Sequence, residues 1–143
     1  MTTISIIGSS GSKNMEIFNN FNNIYQIIET KLLNIYNTTP NLTIVSGGSS
    51  GIDHIAIMLA LKYNIKIKLY LPCEFNNELF YDNGIYQYQQ NTGKLLNRLH
   101  TNFSLKIGIN TLQQLQQVLN IDGNSYEVYD GFLNRNKYVA KSD

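Results

Sequence analysis

Two short apolar segments of the chain each run directly into a loop built almost entirely of glycine and serine. Ile4 to Ile7 precede the run 8–12, which reads GSSGS, and Leu42 to Val45 precede the run 46–51, which reads SGGSSG. An apolar run of this length that ends at such a loop is typical of a buried strand. Because a helix-like spacing of apolar residues follows both loops, the order strand, tight loop, helix is predicted twice in succession.

This alternation predicts an α/β fold with a parallel sheet, in which right-handed crossovers place helices against the strands. The residues at strand or helix spacing define a strand over 2–7, a helix over 13–36, a strand over 42–45, a helix over 52–63 and a strand over 65–71. The next part is less regular: we expect a loop over 74–84, a short helix over 94–100, a helix beginning at 111 with Thr111 as N-cap, a strand over 126–129 and a helix over 132–141.

Composition limits the classes of protein that fit. The 143 residues predict one domain over 1–143, and a net charge of +1 disfavours a strongly electrostatic nucleic-acid binder. One cysteine forms no internal disulfide, and neither a membrane-length apolar run nor a signal peptide is visible, so we expect a cytoplasmic protein. Two histidines and one cysteine, widely spaced, predict no metal site, and His54 is interpreted as a surface or partly packed helix residue.

The two loops are the candidate binding elements. Parallel sheets bind ligands at the carboxyl ends of their strands, where glycine lets the backbone approach a phosphate and the helix N-terminus favours negative charge. Neither loop is a P-loop or a G-x-G-x-x-G dinucleotide loop, and the alternative is that both are only tight turns. The predicted phosphate-binding residues are Gly8, Ser9, Ser10 and Gly11 in the first loop, and Gly47, Gly48, Ser49, Ser50 and Gly51 in the second.

Two segments carry a resemblance to a known family. The run 46–56, SGGSSGIDHIA, resembles the S-G-x-x-x-G-I-D-x-x-A segment of the DNA-processing protein A (Smf) family. That family belongs to the SLOG group of Rossmann-like domains, together with the LOG-type, lysine-decarboxylase-like phosphoribohydrolases. The run from Arg135 to Asp143 is similar to a second element of the group, and in outline the likeness covers 2–72 and 131–143. It implies a Rossmann-like three-layer α/β/α fold.

The resemblance also implies a nucleotide or nucleic-acid phosphate held over both loops. Arg135 and Asn136 then contact the ligand from the far side, and Asp53 either receives a ribose hydroxyl or caps the helix that follows the second loop. The alternative for Arg135 is a solvated helix residue. No cofactor is expected besides the nucleotide ligand itself.

The likeness has one important departure. In the hydrolases of the group, the element that resembles 135–143 precedes another strand and a P-G-G-x-G-T-x-x-E loop with the catalytic glutamate, whereas this sequence ends at Asp143. We therefore expect a sheet incomplete at its C-terminus and a binding or sensing module. Two alternatives stay open: a nucleotide N-glycosidic hydrolase, with Glu74 or another chain supplying the carboxylate, and a single-stranded DNA-binding protein.

The same reasoning makes residues 2–7 an edge strand of the predicted sheet. Exposed strand edges recruit another chain, so we expect a homo-oligomer or a partner that supplies a strand beside 2–7. No membrane partner is expected.

Overall fold

A computed structural model describes residues 2–10, 19–81, 92–129 and 132–140, and of residues 132–134 and 140 only the backbone. The elements, in chain order, are β1 (Thr2–Ser5), α1 (Phe21–Thr38), β2 (Leu42–Ser46), α2 (Ile52–Tyr63), β3 (Lys66–Leu71), β4 (Phe75–Asn76), β5 (Leu79–Phe80), α3 (Thr92–Ile107), α4 (Thr111–Leu119), β6 (Ser125–Val128) and α5 (Phe132–Ala140). The predicted residues 13–18 of the first helix lie outside the described ranges.

The main sheet has four parallel strands in the order β1-β2-β3-β6. The register pairs Ile4 with Ile44 and Ile44 with Ile67, so these three side chains form one row across the sheet. With helices between the strands and on both faces, the chain has the predicted Rossmann-like three-layer α/β/α architecture. Its first strand lies at an edge of the described sheet, as expected, and the strand-supplying partner stays a prediction.

The two faces of this sheet differ in chemistry, because successive side chains of a strand point to opposite sides. Ile67, Leu69 and Leu71 of β3 are fully buried in the main core, which also contains residues of α1 to α4. On the opposite face Tyr70 lies 6.4 Å, ring centroid to centroid, from Tyr138 of α5. Helix α5 therefore forms the third layer on the more polar face.

Helix α2 is buried around most of its circumference. Asp53 to Ile57, Leu59 and Ala60 are all buried, in accord with its mostly apolar sequence. His54 lies in this run and has no exposed surface, so its interpretation as a surface or partly packed residue was wrong. The physical reason is that α4 packs over α2 and supplies a hydrogen-bond partner for the imidazole, Gln114.

The region after β3 is more regular than expected. Instead of a continuous loop over 74–84, β4 and β5 form an antiparallel hairpin whose central residues, Asn77 and Glu78, have φ values of 52° and 65°. Positive φ at both positions is the type I′ geometry that fits the twist of a two-residue hairpin. The N-cap of α4 is Asn110, whose side chain accepts a hydrogen bond from Gln113 N, and not Thr111.

Among the residues that the structure describes, no helix is long and apolar enough to cross a membrane.

Candidate functional site: two interlocked loops and a buried ion pair

The loops after β1 and β2 lie against each other at the carboxyl edge of the sheet. Ile52 N donates to Ser9 O at 3.1 Å, and Ser50 Oγ donates to Ser10 O at 3.0 Å. At Gly51, with φ of 76°, an added Cβ would overlap the Ser9 carbonyl oxygen. Glycine is therefore required at this position both by the backbone conformation and by the close approach of the first loop.

An open cleft of about 670 Å³ lies beside the interlocked loops. One part of its lining is polar and consists of seven of the predicted ligand-binding residues, one of which is a buried acid. The other part is an apolar wall. The polar part consists of Gly8, Ser10, Gly47, Ser49, Arg135, Asn136 and the acid Asp53, and the apolar wall of Ile7, Leu95, Leu99 and Val139. The apolar residues from α3 were not among the sequence candidates, because 73–130 had no counterpart in the family pattern.

Asp53 and Arg135 form a buried ion pair at the centre of this site, each with only 5% of its surface exposed. Arg135 Nη1 lies 3.6 Å from Asp53 Oδ2 and also donates to the Gly47 carbonyl oxygen. Burial raises the pKa of the Asp53 carboxyl, whereas the Arg135 charge and two backbone N–H donors oppose that rise. The interpretation of Arg135 as a solvated residue was therefore wrong: its head lies in the interior, against the second loop.

The absence of a side chain at Gly47 makes room for the guanidinium. A Cβ there would overlap Arg135 Nη1 and would lie 2.7 Å from Asp53 Oδ2. Gly47 consequently serves a contact between protein groups, in addition to any contact with a ligand.

Asp53 also ties the two loops together. Its Oδ1 accepts a hydrogen bond from Gly8 N at 3.1 Å, and its Oδ2 accepts one from Ser49 N at 3.4 Å. The carboxylate lies in the first turn of α2, where its charge suits the helix N-terminus, but both N–H groups that donate to it belong to the loops and not to the helix, so it does not cap α2 as predicted. Its alternative role, as acceptor of a ribose hydroxyl, stays a prediction.

A buried histidine network supports the second loop from behind. His100 Nε2 lies 2.9 Å from Gly48 O, so that nitrogen carries the proton and donates it, and Nδ1 accepts from Thr111 Oγ1 at 2.9 Å. Ser104 Oγ lies 2.8 Å from Thr111 Oγ1 and accepts from Thr111 N, which completes a chain of hydroxyls behind the ring. The network fixes the His100 tautomer and links α3 to the glycine loop.

His54 lies next to His100, with ring centroids 5.6 Å apart. Burial lowers the pKa of His100 to about 4, and burial together with the nearby His100 lowers the pKa of His54 to about 3. Both rings are therefore neutral at neutral pH. Among the described residues, no group of three or more His, Cys, Asp and Glu side chains could hold a metal ion.

The two loops differ in how they present the predicted residues. Gly8 and Ser9 are exposed and Ser10 is half-buried, whereas all five residues 47–51 of the second loop are buried. Asn136 is exposed at the rim of the cleft, next to the buried Arg135. Gly11 lies outside the described residues.

Glu74, the candidate carboxylate of the hydrolase alternative, is exposed and accepts a hydrogen bond from Tyr126 Oη at 3.1 Å. It is not among the described residues that line the cleft. Asp53 is the acid that the structure brings to this place.

Comparison with known proteins finds a viral relative. The chain is 32% identical over 145 residues to the uncharacterized protein R261 of Acanthamoeba polyphaga mimivirus, with 96% of this chain and 76% of the viral protein covered. The chain belongs to the family of this viral protein. No protein-family model matches the chain, and no solved structure does. Because this relative is uncharacterized, the comparison assigns no function to the cleft.

Proposed function

We propose that the protein is a binding or sensing module for a nucleotide or nucleotide-derived ligand, which it holds in the cleft beside the two glycine loops. The observation that carries the proposal is the composition of this cleft, in which a glycine- and serine-rich rim and a buried arginine face an apolar wall. Ligand pockets have this character: apolar surface supplies most of the contact, and a few polar groups fix the orientation.

The two halves of the cleft suit the two halves of a nucleotide. Leu95 and Leu99 lie one helical turn apart on α3 and form, with Val139, an apolar surface for a base. The exposed first loop, with Gly8 and Ser10, and the amide of Asn136 provide polar contacts at the rim for a phosphate. The cleft lies at the carboxyl ends of β1 and β2, the usual ligand position of a parallel sheet.

The proposal is tested by a thermal-shift screen of nucleoside monophosphates, nucleoside diphosphates and dinucleotides, followed by calorimetric titration of any ligand that raises the melting temperature. A ligand at 100 times its dissociation constant adds about 2.7 kcal/mol of stability. Mass spectrometry of the mixture after incubation distinguishes binding from cleavage, because release of the free base from a monophosphate would establish the hydrolase alternative instead.

Leu99→Trp is the variant that tests the location, because the indole would occupy the cleft. Leu105→Trp is its matched control: Leu105 lies on the same helix, is 79% exposed and is not part of the described cleft lining. We expect Leu99→Trp to lose the ligand-induced shift and Leu105→Trp to keep it. The absence of a shift with every nucleotide, or equal losses in both variants, would contradict the proposal.

A further inference from the structure

Two backbone N–H donors and one guanidinium, from three separate segments, converge on the Asp53 carboxylate. They are Gly8 N of the first loop at 3.1 Å, Ser49 N of the second loop at 3.4 Å and Arg135 Nη1 of α5 at 3.6 Å. Two backbone N–H groups from glycine-rich loops and one guanidinium form a typical anion-binding set. In this protein the set already holds an anion, and that anion is the protein's own carboxylate.

We propose that Asp53 is a specificity-determining residue, an internal anion that keeps a ligand phosphate out of the part of the cleft next to Gly47, Ser49 and Arg135, called here the deep end. A phosphate placed at these donors would meet a buried carboxylate, and two negative charges at such short range repel each other strongly in a poorly solvated place. The deep end therefore takes a neutral group, a base or a ribose, and a phosphate is admitted only at the rim near Ser10 and Asn136.

The consequence for ligand choice rests on the proposed function. The cleft should prefer ligands with one terminal phosphate and a neutral body over compact anions such as inorganic phosphate. The claim that Asp53 excludes phosphate from the donor set does not rest on nucleotide binding, because phosphate binding alone can be measured.

The variant Asp53→Asn removes the internal charge and leaves the three donors in place. We expect it to bind inorganic phosphate at least about tenfold more tightly than the natural protein, measured as the rise of melting temperature with phosphate concentration at constant ionic strength. Glu29→Gln is the matched control, since it removes one negative charge in a surface pair with Lys62 at 2.7 Å. The control should respond to phosphate as the natural protein does.

The double variant Asp53→Asn/Arg135→Met separates anion binding from a general loss of packing. It removes both buried charges, and we expect it to fold without phosphate and to gain no more from phosphate than the natural protein does. If Asp53→Asn alone does not fold in phosphate-free buffer, its refolding yield with and without phosphate replaces the melting temperature, and phosphate should restore folding.

Three results would overturn the proposal. The first is an Asp53→Asn variant that responds to phosphate no more than the natural protein does, and the second is a double variant whose response is enhanced as much as that of Asp53→Asn. The third is an Asp53→Asn chain that phosphate does not refold although the double variant folds. These results are distinguishable from failure of the proposed function. If the natural protein binds a nucleotide but Asp53→Asn does not respond to phosphate, the proposed function is supported and the role of Asp53 is contradicted. If Asp53→Asn responds to phosphate but the natural protein binds no nucleotide, the role of Asp53 is supported and the proposed function is contradicted.

Discussion

The two glycine loops have nearly the same composition and opposite environments. The first loop exposes Gly8 and Ser9 at the rim of the cleft, whereas the second, 47–51, is buried throughout. Two glycines of the second loop make room for another part of the protein: Gly47 for the Arg135 guanidinium and Gly51 for the Ser9 carbonyl. Glycine and serine after a strand therefore mark a place where something approaches the backbone closely, and the approaching group here is in large part the protein itself.

The largest expected effect is that of Gly51→Ala. A methyl group at φ of 76° that also overlaps the Ser9 backbone should cost about 3 to 5 kcal/mol of unfolding free energy. Gly108→Ala is the control for a positive φ alone, because Gly108 has φ of 75° and a methyl group added there would meet nothing within 4 Å, whereas Gly51 also has ψ of −133°, outside the left-handed region open to other residues. It should cost about 1 to 2 kcal/mol in urea unfolding. Equal losses would show that the two loops do not interlock at this point.

Lowering the pH should destabilise the fold through the two buried histidines behind the second loop. His54 and His100 have pKa values of about 3 and about 4 in the fold, against 6.5 when unfolded, so below pH 6.5 the unfolded chain binds more protons and stability falls. At pH 5.5 each histidine should lower the unfolding free energy by about 1.2 kcal/mol relative to neutral pH, which makes about 2.5 kcal/mol for the two together.

The measurement is urea unfolding between pH 7.5 and pH 5, a range chosen around the ordinary histidine value of about 6.5. His100→Gln removes one titrating group and should flatten the curve by about half. The Asp53 carboxyl acts in the opposite sense, because its raised pKa makes the folded state the stronger proton binder in more acidic solution. An unchanged pH slope in His100→Gln would show that this ring does not contribute as a buried neutral base.

The smallest effect compares one serine from each loop. Ser50 is fully buried and donates to the carbonyl oxygen of the half-buried Ser10, so Ser50→Ala should lower the unfolding free energy by about 1 kcal/mol, because that carbonyl loses its partner. Ser9→Ala changes an exposed residue, where water replaces a lost contact, and should stay within about 0.5 kcal/mol. If Ser9→Ala costs as much as Ser50→Ala, the first loop is as constrained as the second.

Local signals predicted the first half of the fold well. The strands and helix between 42 and 71 have bounds within about a residue of those predicted, because the two strands run into Gly47 and Pro72 and the helix ends at Asn64, a residue type that readily adopts the left-handed conformation found there. The hairpin at 75–80 was missed, since each of its strands has only two residues and its Asn-Glu turn lacks the glycine that usually indicates a type I′ turn. Helix α3 extends to Ile107, beyond the predicted His100, because its buried Phe103 packs against Phe21 of α1.

For the site, the sequence predicted which segments meet, but it did not predict the contacts that these segments make with one another. Loops 8–10 and 47–51, Asp53 and Arg135 do come together, as expected from the carboxyl ends of neighbouring strands. Their mutual contacts depend on distances between atoms that lie 45 and 88 residues apart along the chain, and no local pattern encodes these. The support of Gly48 by His100 was missed for the same reason.

The long sequence separation between Arg135 and Gly47 has a consequence for biosynthesis. During translation, β1, β2 and α2 leave the ribosome well before α5, so the nascent chain carries Asp53 without its counter-charge until the last helix docks. Domains generally fold as units, and an uncompensated buried carboxylate opposes closure of the two loops before α5 is available. Docking of α5 is thus the step that completes the cleft, and ribosome-stalled chains that lack it should remain sensitive to protease at the loops.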